Sequence, residues 1–345
     1  MLLIEWNQYS DDYQKQQSEL YTAAITEQGV LTNESVAAPT SQGINDGIPS
    51  VNQETNPLSV LLDDSETFNL STDALDLVVS ADGGDVVSAS LPKFPVRLDT
   101  PNQPFRLLEN NNLRRYVAQS GLIGPDGIDA SGNRARYASQ GVTDNGDGSH
   151  TLILAWTGND PLGMQIYKRF TARDDRYDVN VSFDIRNDGS SIASVTSFAQ
   201  LKRDNTQAPD GNTGFGVSPY LGAALTQPDE RYTKLSFSDL NDEPFSKRLP
   251  AGWVAILQHY FVSAWIPSQQ ASHDYFASQL SNGDNVIGYK NQNVDIAPGS
   301  AATISQTLYV GPKDQVALAA LAENLDLVID YGCLLYTSDA ADDSG

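Results

Sequence analysis

Short segments in which apolar and polar residues alternate dominate the chain between residues 58 and 312. In residues 177–185 an apolar side chain occupies every second position, which is the pattern of a β-strand with one buried face and one face in water. Gly, Asn, Asp and Pro separate these segments at the short intervals typical of a large sandwich or barrel. The pattern therefore predicts a mainly β domain.

Residues 75–79, 151–156 and 303–310 have the same β-rich character. Four turn sequences lie between such runs, and their residue types tolerate a positive φ. These turns predict hairpins, and hence an antiparallel arrangement. They are Asp82-Gly83-Gly84, Asn145-Gly146-Asp147-Gly148, Asn187-Asp188-Gly189 and Asn282-Gly283-Asp284.

Residues 252–267 form the densest apolar run of the chain and include Trp253, Tyr260 and Trp265. We interpret the run as two central strands of the core, with the polar atoms of Trp and Tyr at its edge. A ligand platform is the alternative interpretation of so many aromatic rings.

One helix is predicted over residues 313–324, because Pro312 precedes it and its apolar residues recur mostly three or four apart. These residues are Val316, Leu318, Ala319, Leu321 and Ala322. After the helix, Leu325, Leu327 and Ile329 alternate with residues that include two aspartates, so we expect these three side chains to pack on the domain.

The segment of residues 209–250 interrupts the strand pattern with a long polar stretch. A loop of that length in a compact domain is usually functional or disordered, and exposed aromatic residues favour interfaces. We therefore expect partner binding at its aromatic side chains, which are Phe215, Tyr220, Tyr232, Phe237 and Phe245.

The ends of the chain differ from its middle. Residues 1–9 are interpreted as the end of a membrane helix, because aliphatic residues run into Trp6 and Tyr9; a start codon followed by frayed apolar residues is the alternative. Residues 10–57 are polar, without aliphatic periodicity, and are expected to be a disordered tether with fast amide exchange. The β domain follows over residues 58–312, then a junction over 313–332 and a tail over 333–345.

The formal net charge of −23 disfavours binding to nucleic acid or to an anionic lipid surface. Cys333 is the only cysteine, so the chain has no internal disulfide and no zinc site built on repeated cysteines. Gly214-Phe215-Gly216 lacks the third glycine of a dinucleotide-binding loop. The chain has three histidines and no nucleophile-elbow motif, so we predict no catalytic residue, no metal site and no cofactor.

Nine segments, in order along the chain, resemble the large periplasmic domain of the proteobacterial YidC insertase family. They are Gly83-Gly84-Asp85-Val86 with Leu91-Pro92, Gln103-Pro104-Phe105 with Leu107-Leu108-Glu109, Ala118-Gln119-Ser120-Gly121-Leu122, Ser197-Phe198 with Gln200-Leu201-Lys202, Pro228-Asp229-Glu230-Arg231-Tyr232, residues 252–267, Gly288-Tyr289-Lys290, Val310-Gly311-Pro312 and residues 325–332.

The resemblance implies a twisted antiparallel β-supersandwich, similar to galactose-mutarotase-like domains, with a C-terminal helix. It also implies a role in inserting and folding inner-membrane proteins, with nascent membrane proteins and the Sec translocon (SecYEG, with SecD and SecF) as partners. In the family, a membrane helix precedes the tether and five more follow the domain. The tail of residues 333–345 departs from the family and is expected not to be native.

Two further expectations follow from the resemblance. A SecF-contacting surface is implied near residues 209–250, and the junction to the membrane core is implied at Leu321, Leu325, Leu327, Tyr331 and Gly332. We expect this junction to matter more for insertion than the sandwich. The competing hypothesis is a sugar-processing domain that uses His259 or His273; His259 is expected within an alternating strand and His273 in a polar loop.

Overall fold

The computed structural model describes residues 66–96, 102–129, 134–158, 162–206 and 220–329. The expectations for residues 1–9, the tether of residues 10–57 and the tail of residues 333–345 lie outside these ranges. They remain predictions.

Nineteen strands make up most of the described chain, and every pairing between them is antiparallel. Their bounds are β1 Thr67–Ser71, β2 Asp76–Ser80, β3 Val86–Pro95, β4 Pro104–Asn110, β5 Arg115–Ile123, β6 Tyr137–Asp144, β7 Ser149–Trp156, β8 Met164–Arg173, β9 Asp178–Asn187, β10 Ala193–Arg203, β11 Gly222–Leu225, β12 Thr233–Leu235, β13 Phe245–Pro250, β14 Val254–Leu257, β15 Phe261–Ile266, β16 Ser272–Gln279, β17 Asn285–Lys290, β18 Val294–Ile296 and β19 Ala301–Pro312.

The strands form two sheets. The ten-stranded sheet has the order β1-β2-β3-β4-β5-β10-β17-β16-β13, with β18 paired to β10 at its side. The nine-stranded sheet has the order β12-β11-β14-β15-β19-β9-β8-β7-β6. A single large core cluster contains residues of both sheets, for example Phe105 and Tyr116 from the first and Phe170 and Trp265 from the second. The predicted antiparallel sandwich is therefore confirmed.

Strand β9 follows the predicted alternation. Val179, Val181, Phe183 and Ile185 are buried, while the positions that alternate with them are polar, and Asn180 and Arg186 among these are exposed. A strand of this pattern turns one face to the core and the other to water.

Three of the four predicted turns contain a glycine with a positive φ, for example Gly83 at 74° and Gly283 at 84°. The turn of residues 187–189 differs, because Gly189 lies outside the left-handed region and the positive φ is at Gly163 in the facing turn. A Cβ on Gly189 would lie 1.8 Å from the carbonyl oxygen of Leu162. Gly189 is therefore required for the close approach of two turns rather than for its φ.

The prediction of one long loop over residues 209–250 is wrong for the described part, residues 220–250. Strands β11, β12 and β13 lie there, and β12 and β13 form the outer edges of their sheets. Edge strands are short and carry exposed polar residues. Their composition therefore resembles that of a loop.

The predicted helix is shorter than expected. It spans Gln315–Leu321 (α1), and the Asp314 side chain caps it by accepting a hydrogen bond from the Ala317 N–H at 2.9 Å. Asp314 rather than Pro312 therefore sets its start, since a carboxylate satisfies a free N–H of the first turn. Within it Leu318 is buried, whereas Val316 is 81% exposed.

Candidate functional site

The C-terminal segment packs on the outer face of the nine-stranded sheet. It consists of α1 and a 3₁₀ helix at Leu325–Val328, and we call these two elements the C-terminal clasp. Leu318, Ala322, Leu325 and Val328 form one buried cluster with residues of β11, β14, β15 and β19. The clasp thus closes a second apolar layer on this side of the sandwich.

This layer explains why residues 252–267 are apolar without alternation. In β14, Val254 and Ile256 face the core between the sheets, while Ala255 and Leu257 face the clasp. A strand that is covered on both faces has no polar side. The prediction of two central core strands is confirmed.

The two tryptophans of the run have different environments. Trp253 lies under the clasp, and its indole Nε1 donates a hydrogen bond to the Glu323 carbonyl oxygen at 3.1 Å. Trp265 lies between the sheets, where its Nε1 donates to the carbonyl oxygen of Gln200 at 3.0 Å. The expectation that these polar atoms lie at the edge is wrong for Trp265, because a backbone carbonyl of the opposite sheet satisfies it in the core.

The predicted junction residues divide into buried and exposed positions. Leu325 is fully buried and Leu321 is half-buried, but Leu327 is 39% exposed and Val328 is fully buried in its place. The expected alternation of Leu325, Leu327 and Ile329 is wrong for this reason: in a 3₁₀ helix the residues that share a face are three apart. Tyr331 and Gly332 lie outside the described residues.

The predicted partner-binding residues fall into two places. Tyr220 and Tyr232 are half-buried beside the clasp, and the ring centroid of Tyr232 is 6.4 Å from that of Trp253. Phe237 and Phe245 instead pack on the main core, where Phe237 is only 9% exposed. The expectation of an exposed aromatic side chain is therefore wrong for Phe237. Phe215 lies outside the described residues.

Lys234 completes a small patch with the two tyrosines. Its Nζ lies 4.9 Å from the ring centroid of Tyr220 and 5.5 Å from that of Tyr232. An ammonium at these distances is attracted by the ring faces. Burial raises the pKa of Tyr220 above its usual value, so this hydroxyl stays protonated at neutral pH. We call Tyr220, Tyr232 and Lys234 the tyrosine patch.

The two histidines of the sugar-processing hypothesis do not lie in the elements expected for them: His259, expected in a strand, lies in a turn, and His273, expected in a loop, lies in a strand. His259 lies in the turn between β14 and β15, stacked on Tyr260 at 4.1 Å between ring centroids. His273 lies in β16 of the other sheet and is 2% exposed, with Nε2 2.8 Å from the Ser268 carbonyl oxygen. The two imidazoles thus belong to different sheets.

A buried ion network was missed by sequence reasoning. It consists of Asp85, Asp129, Arg134 and Lys168; Arg134 contacts both carboxylates, and its Nη1 is 2.9 Å from Asp129 Oδ1. One signal existed in the sequence, since Lys168 occupies an inward position of β8 between Ile166 and Phe170. No local pattern shows which acids surround it.

Among residues 66–96, 102–129, 134–158, 162–206 and 220–329, no group of three or more His, Cys, Asp or Glu side chains is placed to hold a metal ion. No helix within the same ranges is long and apolar enough to cross a membrane.

The sequence matches a known protein family. The family described as the YidC periplasmic domain matches residues 67–337, which include both sheets and the clasp. The chain belongs to this family. The YidC assignment agrees with the resemblance drawn from the sequence segments above.

Two similar relatives are both named membrane protein insertase YidC. The one from Marinomonas sp. strain MWYL1 is 37% identical over 344 residues, and the one from Pseudomonas putida strain F1 is 37% identical over 341 residues. Each match covers 97% of this chain and 60% of the relative. The chain thus spans about 60% of the length of these YidC proteins.

Solved structures with a similar fold include a galactose mutarotase related enzyme from Lactobacillus acidophilus and a galactose mutarotase-like protein from Lactobacillus casei. Both give a TM-score of 0.47 over 71% of this chain, at 11% and 9% identity, and the matches cover 97% and 100% of those chains. A likeness at this level carries no argument about this chain. It supports no sugar-processing activity for this YidC domain.

Proposed function

We propose that the chain is the periplasmic domain of a bacterial inner-membrane insertase that helps insert and fold inner-membrane proteins. The observation that carries the proposal is the family match over residues 67–337, together with relatives named membrane protein insertases. The domain faces the periplasm and performs no chemical step. Its clients are nascent inner-membrane proteins, handled alone or together with the Sec translocon.

The clasp supports a positioning role for the domain. It joins the sandwich to the residues that follow position 329, and it is held by a buried apolar layer rather than by surface contacts. A packed layer of this kind resists bending far better than a flexible linker. The clasp therefore has a fixed orientation relative to the sandwich.

Complementation of an insertase-depleted strain tests this function. We expect a chimera in which residues 67–329 replace the periplasmic domain of the Pseudomonas putida relative to support growth, because the family match covers both sheets and the clasp. The unaltered relative is the positive control. A chimera that reaches the membrane as a protease-resistant domain, yet leaves the strain unable to grow, would contradict the proposal.

The tyrosine patch is proposed as the surface that docks SecF and SecD. Its half-buried rings and its lysine are adjacent to the clasp, and aromatic residues are enriched at the centres of protein interfaces. A patch that is already ordered by packing loses little side-chain entropy on binding.

Photocrosslinking in the same chimera tests this docking. A crosslinker at Tyr220 is expected to capture a Sec component, whereas one at Phe237 is expected to capture none because that side chain packs inside the domain. Phe245, half-buried on the main core, is expected to crosslink weakly. Equal capture of a Sec component from all three positions, or no capture from Tyr220, would contradict the proposal that the tyrosine patch is the docking surface.

A further inference from the structure

Strand β1 is an edge of the ten-stranded sheet, and among the described residues it pairs only with β2. Two backbone hydrogen bonds bracket this pairing: the Thr72 N–H donates to the Leu75 carbonyl oxygen at 2.9 Å, and the Ala81 N–H donates to that of Glu66 at 2.7 Å. Bonded and non-bonded pairs alternate along an antiparallel ladder, so the even-numbered residues of β1 bond to β2. The odd-numbered residues therefore direct their N–H and C=O groups to the free edge. They are Thr67, Asn69 and Ser71.

The edge of β1 lacks the features that protect the other sheet edges. Strand β13 carries Lys247 and Arg248, and β12 has only three residues. Strand β6 contains a bulge beside Gly141 and ends at Asp144. Charged residues, short length and bulges all hinder the addition of another strand. Strand β1 has no charged residue, no proline and no bulge, so its edge is open to such an addition.

The position beside β1 faces β6 of the other sheet. Strand β1 lies opposite β7, with Cα atoms of the two strands within 8 Å, and β6 is the neighbour of β7. In β6, Val142 is the ladder partner of Leu152, which belongs to the main core, so both side chains face inward. Leu152 is 1% exposed, but Val142 is 50% exposed. A strand added to β1 would therefore cover an apolar side chain that the ten-stranded sheet does not reach.

Exposed aspartates lie at one end of this position. Asp73 follows the end of β1, and its N–H donates to Asp174 Oδ1 at 3.4 Å. Asp144 ends β6, and its ladder partner His150 lies 3.7 Å from Asp174. Lys93 pairs with Asp73 at 3.1 Å, so the cluster keeps a negative charge. This charge attracts a cationic side chain, whereas the net charge of −23 opposes the approach of a second copy of the chain.

We propose that the free edge of β1 binds an extended peptide as an added antiparallel strand. Its backbone pairs with the three outward-facing residues of β1, an apolar side chain covers Val142, and a lysine or arginine at its amino-terminal end pairs with the aspartates. The antiparallel direction agrees with every other pairing of the fold and places that end of the peptide beside Asp73. The site lies at the end of the sandwich opposite the tyrosine patch, and the proposal does not depend on the insertase function.

Fluorescence anisotropy with the full chain tests the proposal. The probe is a labelled peptide of alternating valine and threonine that begins with lysine, and saturable binding is expected. Replacing this lysine with glutamate is expected to weaken binding about tenfold at low salt, because like charges then meet. Asn69→Pro removes one outward N–H without removing a bond to β2, and it is expected to weaken binding by about tenfold or more.

Asn69→Thr is the matched control, since it changes the same exposed side chain and keeps the N–H. It is expected to bind the lysine peptide like the unmodified chain. Absence of saturable binding to the unmodified chain, or equal binding by Asn69→Pro and Asn69→Thr, overturns the proposal.

Amide exchange locates the peptide and decides the question even if Asn69→Pro does not fold. The N–H groups of Asn69 and Ser71 are expected to gain about tenfold or more protection when the peptide binds, whereas that of Leu70, which is already bonded to β2, is expected to change less. Protection confined to another surface overturns the proposal. Protection of Asn69 and Ser71 without peptide also overturns it: if lost on dilution, a second copy covers the edge, and if retained, another segment of the chain does.

Discussion

Replacing Leu325 with aspartate is expected to lower the free energy of unfolding by about 3–5 kcal/mol, because it places an unpaired carboxylate in a fully buried position. For a domain of this size that loss corresponds to a decrease in Tm of roughly 10 °C. Val328→Asp is expected to have the same effect, since Val328 is equally buried. Thermal and urea denaturation followed by circular dichroism measure both.

Leu327→Asp is the matched control. It makes the same substitution in the same 3₁₀ helix, but at a side chain that is 39% exposed, so its cost is expected to stay below about 1 kcal/mol. In the insertase chimera, Leu325→Asp is expected to impair growth while Leu327→Asp is tolerated. If both variants lose equal stability, or if neither does, the packing of the clasp on the sheet is not as described.

Asp129→Asn is expected to destabilise the domain by a similar amount, about 3–5 kcal/mol, because it leaves Arg134 and Lys168 with a single buried carboxylate between them. Asp129 is fully buried and also accepts hydrogen bonds from the N–H groups of Leu122 and Ala135, both at 2.9 Å. An amide of the same shape replaces only part of these contacts.

Asp82→Asn is the matched control, because it also removes an Asp–Arg ion pair but at an exposed position. Asp82 also pairs with an arginine, Arg136, at 2.8 Å, but the two side chains are 44% and 55% exposed. Exposed ion pairs contribute about 0–1 kcal/mol. Urea denaturation at pH 7 measures the loss of unfolding free energy in both variants. The loss in Asp129→Asn is therefore expected to be more than three times the loss in Asp82→Asn. Equal losses would show that the ion network is not shielded from water.

The strands that sequence reasoning found are those whose pattern is local. Strand β9 has its alternation within ten residues, and the apolar run of residues 252–267 is continuous because the core and the clasp cover both of its faces. Strands β12 and β13 were missed because a short edge strand with exposed polar residues has the composition of a loop.

The C-terminal segment shows a second limit. Leu325, Leu327 and Ile329 fit the period of a strand, whereas the buried pair of Leu325 and Val328 fits a 3₁₀ helix, and four residues cannot distinguish the two periods. The ion network shows a third limit, because Lys168 and the Gly83 carbonyl that it contacts are 85 positions apart. Contacts of that separation depend on the fold and leave no periodic signal.

Strand β19 pairs with β15 on one side and with β9 on the other, so the last strand of the sandwich lies in the middle of its sheet. Chains are synthesised from the amino terminus, and domains complete their folding only when every central element is available. Until residues 301–312 are free, the nine-stranded sheet exists as two halves that each present an unpaired edge, and such edges recruit other strands. A chaperone that shields β9 and β15 until residues 301–312 are available would therefore determine how much of the newly made domain reaches its native state.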